Sequence, residues 1–177
     1  MPTYTAFLRA INVGGHTVKM DRLRALLEEA GLERVSTFIA SGNVIFESGE
    51  KAATLERAIA RHLEKALGYE VGVYLRTPGE LALVAAHPPF TAGEVASAAT
   101  LYVCFLPKSA SDQVVEAVAA LGTPTQVLRV HGRELYWLCH TKISESDVDD
   151  RALGKALGMP MTMRNLNTVR RILAKVA

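Results

Sequence analysis

The sequence predicts an α+β protein in which one structural unit occurs twice along the chain. Three observations support this fold class. Short β-prone segments alternate with longer segments whose apolar residues recur at helical spacing. The order of these segments in the first half, β-α-β-β-α-β, returns in related form in the second half. In addition, the pattern Y-x-x-F-L at residues 4–8 is repeated at residues 102–106.

The first unit is predicted to span residues 1–77. Its first strand is apolar and β-prone, and its first helix has an aspartate at the N-cap and a glycine at the C-terminal stop. The S-G-N sequence at 41–43 is typical of a hairpin turn between two strands. The predicted elements are strand 3–9, a helix from Asp21 to Gly31, strands 35–39 and 44–47, a helix from Thr54 to Gly68 and strand 71–76. This order is that of the ferredoxin-like fold, with an antiparallel sheet.

The second unit is predicted to span residues 99–177, after a helix and linker at 78–98. The same order recurs there, followed by a C-terminal helix. The two units can equally form one compact domain. The predicted elements are helix 80–86, an extended segment 87–90, strand 101–106, helix 111–121, strands 126–130 and 134–139, helix 149–157 and a final helix 166–176.

Composition excludes several classes of protein. The chain has 177 residues, 49% of them apolar and 21% charged, with a formal net charge of +2. These values are ordinary for a globular protein and exclude a disordered chain, a collagen or a disulfide scaffold. No apolar run approaches the ~20 residues needed to span a bilayer, so we expect a cytoplasmic protein with no membrane partner. Cys104 and Cys139 lie in apolar strands, and we expect them to be buried, reduced and on neighbouring strands.

The C-terminal segment is basic. No Asp or Glu follows Asp150, whereas six Lys and Arg residues do. On the final helix, Leu166, Val169, Leu173 and Val176 are predicted to form the apolar stripe, with Arg171 and Lys175 on the opposite side. This basic side is either a solvated face or a surface that binds anions or nucleic acid.

Motifs with defined chemistry are weak in this sequence. The five histidines show no metal-ligand spacing, so no metal is expected, and no cofactor is expected either. Gly14 and Gly15 follow a strand and precede a helix, where a phosphate fits, but the loop matches no nucleotide-binding motif. Ser41 lacks the context of a nucleophilic serine. The predicted third strand also lacks the aromatic spacing of an RNA-recognition module.

Three segments together resemble a known family. They read F-L-R-A-I-N-V-G-G at 7–15, S-G-N-V-I-F at 41–46 and T-M-R-N-L-N-T-V at 162–169. They are similar to the R-G-I-N-V-G-G, S-G-N-V-x-F and T-x-R-N-W-N-T-V segments of the bacterial domain-of-unknown-function family numbered 1697. This sequence departs from the family at Ala10, in place of glycine, and at Leu166, in place of tryptophan. The resemblance implies a tandem ferredoxin-related fold and no established activity.

The polar residues of these segments form the candidate site. In a ferredoxin-like sheet the first and third strands are antiparallel neighbours, so Arg9, Asn12, Ser41 and Asn43 should converge at one end of the first sheet. If the start of the last helix packs nearby, two guanidinium groups and several amides share one pocket. Such a pocket suits an anionic ligand such as a phosphate or carboxylate. The predicted ligand-binding residues are Arg9, Asn12, Gly14, Gly15, Ser41, Asn43, Lys142, Arg164, Asn165, Asn167 and Thr168.

Alternatives to anion binding remain open at this point. The same pocket can serve an enzyme in which Arg9, Lys142 and Arg164 stabilise developing charge. The basic last helix can bind nucleic acid. The polar residues can also act only as ties that hydrogen-bond neighbouring loops. The sequence does not decide the oligomeric state.

Overall fold

A computed structural model describes residues 1–12, 14–39, 42–86 and 88–177. These residues form two four-stranded antiparallel sheets with helices, which confirms the predicted α+β class and its two similar ferredoxin-like units. The elements are β1 (Thr3–Arg9), α1 (Met20–Glu29), β2 (Glu33–Thr37), β3 (Asn43–Glu47), α2 (Ala52–Leu67), β4 (Gly72–Arg76), α3 (Pro78–Ala86), α4 (Ala92–Ser97), β5 (Thr100–Phe105), α5 (Asp112–Ala119), β6 (Gln126–His131), β7 (Glu134–Cys139), a 3-10 turn (Ile143–Glu145), α6 (Asp150–Leu157), β8 (Thr162–Asn165) and α7 (Leu166–Val176).

The chain divides into two compact units. Unit 1 comprises residues 1–83 together with 171–177, and unit 2 comprises residues 84–170. Their sheets have the strand orders β2-β3-β1-β4 and β6-β7-β5-β8. In each unit the first strand therefore lies between the third and the fourth, as the ferredoxin-like order requires.

Unit 1 has an apolar core between one sheet face and its helices. Alternate residues of β1, including Leu8, point to this face because side chains alternate along a strand. Leu23 and Leu27 of α1 and Ile59 and Leu63 of α2 pack there as well. The leucine spacing that predicted these helices is therefore the spacing of their buried faces.

Unit 2 has its own core, which contains both cysteines. Cys104 on β5 and Cys139 on β7 are buried, free thiols on neighbouring strands, as predicted. Cys104 pairs with Leu135 and Cys139 pairs with Thr100, so the thiols are four residues out of register, or ~13 Å along the strands. That offset excludes a disulfide. Burial raises the pKa of both thiols, and that of Cys139 to about 11.

Two helix starts differ from the prediction. Asp21 and Thr54 were expected at N-caps, but α1 begins after Lys19 and α2 after Lys51, neither of which caps through its side chain. Asp21 instead lies in the first turn of α1, where the positive end of the helix dipole stabilises its negative charge.

The segment after residue 157 also differs from the prediction, because β8 precedes the last helix. Buried residues on α7 are Leu166, Val169 and Ile172, whereas Leu173 is only half-buried. Ile172 therefore takes the place expected for Leu173 in the apolar stripe. The helix α4 was not predicted. The predicted extended segment 87–90 includes His87, which lies outside the described residues.

Candidate functional site

In unit 1, the end of β1 lies beside the start of β3. Phe7 pairs with Asn43 across the two strands, and the Leu8 N–H donates to the Gly42 carbonyl at 2.9 Å. This adjacency confirms the predicted strand pairing. Arg9 lies two residues after Phe7, so Arg9 and Asn43 point to the same face of the sheet. Ser41 lies outside the described residues.

The side chains of two asparagines in this region hydrogen-bond the backbone of residues five or six positions away. Asn43 is fully buried, and its Nδ2 donates to the Phe38 carbonyl at 3.0 Å. Asn12 Oδ1 accepts a hydrogen bond from the Val18 N–H at 2.8 Å and so closes the loop between β1 and α1. Both contacts are ties between loop segments, which is the arrangement expected if these residues are structural.

Left-handed backbone occurs on both sides of this region. Ala10 has φ 67° and Ile39 has φ 61°, values that cost a residue with a Cβ roughly 1–2 kcal/mol. Ala10 stands where the similar family has glycine, which explains the family's residue at that position. Gly42 has φ +84°, and a Cβ there would lie 2.6 Å from Ile11 Cγ2.

The remaining unit 1 candidates are exposed. Arg9 is the last residue of β1, and its charge acts on Tyr74. The pKa of Tyr74 is raised mainly because the hydroxyl is desolvated, and the Arg9 charge partly offsets that rise. Gly14 and Gly15 are exposed in the loop before α1.

In unit 2, Arg164 is a residue of β8, which corrects the prediction that it opens the last helix. It pairs with Val103 of β5 and is buried. Its Nη1 donates to Thr162 Oγ1 and to the Met163 carbonyl, both at 2.9 Å. Desolvation lowers its pKa to about 10. The segment forms a strand because it pairs with β5, a long-range contact that local helical spacing does not reveal.

Arg164 and Asn165 point to opposite faces of the second sheet, because they are consecutive strand residues. Asn165 ends β8, and its Oδ1 accepts a hydrogen bond from the Asn167 N–H at 2.9 Å. Asn165 therefore acts as a cap at the start of α7. Thr168 is half-buried in the first turn of the same helix.

A cavity of about 200 Å³ lies at the start of α7, within unit 2. It brings together two predicted residues, Asn165 and Asn167, with Arg170, which in the sequence is one residue of the basic C-terminal segment. Arg170 is exposed and lies one helical turn after Leu166. Its Nη2 lies 3.5 Å from the Ala85 carbonyl. The lining residues are Val95, Ala98, Ala99, Thr100, Leu101, Asn165, Leu166, Asn167 and Arg170.

Lys142 is exposed and immediately precedes the 3-10 turn of unit 2.

Within unit 1, Arg171 and Lys175 are not simply solvated. The Arg171 guanidinium lies 5.2 Å and the Lys175 ammonium 5.1 Å from the centroid of the Phe38 ring. Both contacts are of the cation–π type.

Two classes of site are not seen in the described parts of the chain. No three His, Cys, Asp or Glu residues lie close enough together there to hold a metal ion. None of the helices described there has the length and apolar character needed to cross a bilayer.

The fold and these polar segments define an α+β protein with two ferredoxin-like units. Residues 1–136 match the family described as "Protein of unknown function (DUF1697)". The match spans most of the chain, and the protein belongs to this family.

A solved structure is similar along nearly the whole chain. It is that of the conserved bacterial protein SP0830 from Streptococcus pneumoniae, which is 26% identical in sequence with a TM-score of 0.78. The similarity covers 99% of this chain and 98% of that chain. No protein of curated function matches the sequence.

Proposed function

We propose that this protein binds a small anionic ligand, such as a phosphate or carboxylate compound, in the cavity at the start of α7. The observation that carries the proposal is the meeting of three features in one cavity of unit 2. These are the first residues of a helix, a cationic residue, Arg170, and two amide residues, Asn165 and Asn167.

Helix starts favour anions for two reasons. The first four N–H groups of a helix have no acceptor within the helix, and Asn165 accepts from one of the four in α7. The helix dipole adds a partial positive charge at the same end. Arg170 contributes a full positive charge on the next turn, and a guanidinium can bind two oxygens of a phosphate or carboxylate.

The cavity favours a small ligand. Its volume of about 200 Å³ is below the roughly 300–1,000 Å³ of pockets for drug-sized molecules. The proposed site is smaller than the set predicted from the sequence, since Asn165 and Asn167 are the members of that set that line this cavity. A cytoplasmic location, as expected from the sequence, is part of the proposal.

Thermal unfolding in sodium phosphate, compared with sodium chloride of equal ionic strength, tests this proposal. At a phosphate concentration of about 20 times Kd, binding adds about 1.8 kcal/mol, so Tm rises by about 4–7 °C. Arg170→Gln should remove this rise. Arg151→Gln is the matched control, because Arg151 is an exposed arginine on α6 of the same unit. Equal phosphate effects on all three proteins would contradict the proposal.

A further inference from the structure

The helix α4 forms part of the wall of the proposed site, yet none of its residues is buried. Val95 on α4 and Ala98 just after it line the cavity. A helix is normally held in place by an apolar face packed on a core. Six residues without such a face do not form a stable helix by themselves. Polar contacts must therefore contribute to holding α4 in place.

Arg129 of β6 supplies most of these contacts. Its Nη1 donates to Glu94 Oε1 at 3.0 Å and its Nη2 to Glu94 Oε2 at 2.9 Å, a two-point ion pair. The same Nη1 donates to the Pro89 carbonyl at 2.8 Å. The guanidinium also lies over the Phe90 ring, 4.9 Å from its centroid. One side chain thus holds α4 and the segment that leads into it.

Glu94 links this ion pair to the helix itself. Its N–H donates to Thr91 Oγ1, and its Oε1 accepts from the Thr91 N–H, which together form a capping box at the start of α4. The Arg129 hydrogen bonds lower the pKa of Glu94 to about 2. At the other end of α4, His140 Nδ1 lies 3.3 Å from the Ser97 carbonyl.

We propose that segment 89–98 is a flap over the anion site, held in place by Arg129 as a positioning residue, and that this flap gives the site a preference for organic anions with a short apolar group. This inference rests on the proposed function. Without Arg129, α4 has no buried residue and no ion pair to keep it at the cavity.

The preferred ligand follows from the two kinds of wall. Asn165, Asn167 and Arg170 offer polar groups to an anionic head, whereas Val95, Ala98 and Leu101 offer apolar surface. Val95 is 36% exposed, so an alkyl group that covers it removes apolar area from water. Inorganic phosphate has no apolar group that can make this contact, so its Kd should not depend on the position of the flap.

Two measurements test the flap. The first is the hydrogen-exchange rate of the amides of α4, and the second is the Kd for phosphate and for n-propyl phosphate from calorimetry. Arg129→Met should speed exchange in α4 by about three- to tenfold, as expected for loss of an ion pair with several hydrogen bonds. Glu94→Gln should have a similar effect while keeping the capping box, since glutamine also serves there. Arg151→Met should leave exchange unchanged.

Binding separates this inference from the proposed function. Wild type should bind n-propyl phosphate about three- to tenfold more tightly than phosphate, and Arg129→Met should lose that preference while its phosphate Kd stays the same. The flap proposal would be overturned if the exchange rate of α4 were unchanged in both Arg129→Met and Glu94→Gln. It would also be overturned if the wild-type protein showed no preference for n-propyl phosphate over phosphate. Phosphate binding that survives Arg170→Gln would overturn the proposed function instead, whatever the exchange of α4.

Discussion

The two units have the same topology, but they use their polar family residues in different ways. In unit 1, Asn12 and Asn43 bind backbone groups of adjacent loops. In unit 2, Asn165 and Asn167 lie at a cavity that also contains Arg170. Polar residues that look alike in the sequence are therefore loop ties in unit 1, whereas in unit 2 they line a cavity, where Asn165 also caps α7.

A second comparison concerns one buried arginine in each unit. Arg76 of β4 pairs with Thr5, and Arg164 of β8 pairs with Val103. Thr5 and Val103 occupy the same position in the repeated Y-x-x-F-L pattern. Each arginine is buried and donates from Nη1 to the carbonyl of the residue before it. The likeness of the units thus extends to a buried cation, which is consistent with a structural role for Arg164.

The largest predicted effect concerns Gly42, the residue before β3 in unit 1. Gly42→Ala adds a Cβ at φ +84° and places it 2.6 Å from Ile11 Cγ2. The left-handed backbone costs ~1–2 kcal/mol and the overpacking ~1–3 kcal/mol, so we expect a loss of about 2–5 kcal/mol in chemical denaturation. Gly14→Ala is the control, since nothing lies within 4 Å of its Cβ position, and it should cost only the backbone strain. Equal losses from both variants would show that the Ile11 contact relaxes.

A smaller effect separates the asparagines of the two units. Asn43→Ala removes a fully buried side chain and leaves the partly buried Phe38 carbonyl without this donor, and it should cost ~1–3 kcal/mol. Asn167 is exposed, and Asn167→Ala should change the free energy of unfolding by less than ~0.5 kcal/mol. Urea unfolding of both variants measures the difference. A large loss from Asn167→Ala would make it a structural residue and break the comparison between the units.

The smallest effect is an alkaline loss of stability in unit 2. Both cysteines lie there, and burial raises their pKa values above the ordinary value of 9. The unfolded chain therefore loses protons first, so stability is complete well below pH 9, begins to fall as pH approaches 9 and falls further toward about 11, the pKa of Cys139. Between pH 8 and 9 the loss should be below ~1 kcal/mol. The protection of the β5 and β7 amides from hydrogen exchange should fall over this pH range, with the amides of β1 and β3 as the internal control. Equal losses of protection in both units would exclude the thiols as the cause.

Much of the fold follows from local patterns, because most helices and strands carry regular apolar spacing. The exceptions have a physical cause. The four residues of β8 are a strand because they pair with β5, and α4 has no buried face from which spacing could be read. Both elements were missed, and each forms part of the proposed site.

The site was only partly predictable for the same reason. Asn165 and Asn167 stood out as polar residues of a family segment. Arg170 follows that segment and looked like one more residue of a basic helix, so only the cavity distinguishes it. The engagement of Asn12 with Val18 and of Asn43 with Phe38 depends on loop geometry, which sequence spacing does not give.

Chemical-shift mapping of the ¹⁵N-labelled protein during a phosphate titration tests the difference between the units most directly. We expect saturable shifts at the amides of Asn167 and Thr168 in α7 and at Thr100 of β5, which lines the same cavity. The amides of Gly14, Gly15 and Asn43 should stay unchanged. Saturable shifts at Gly14, Gly15 and Asn43 with none at the start of α7 would contradict the account and place the anion site in unit 1.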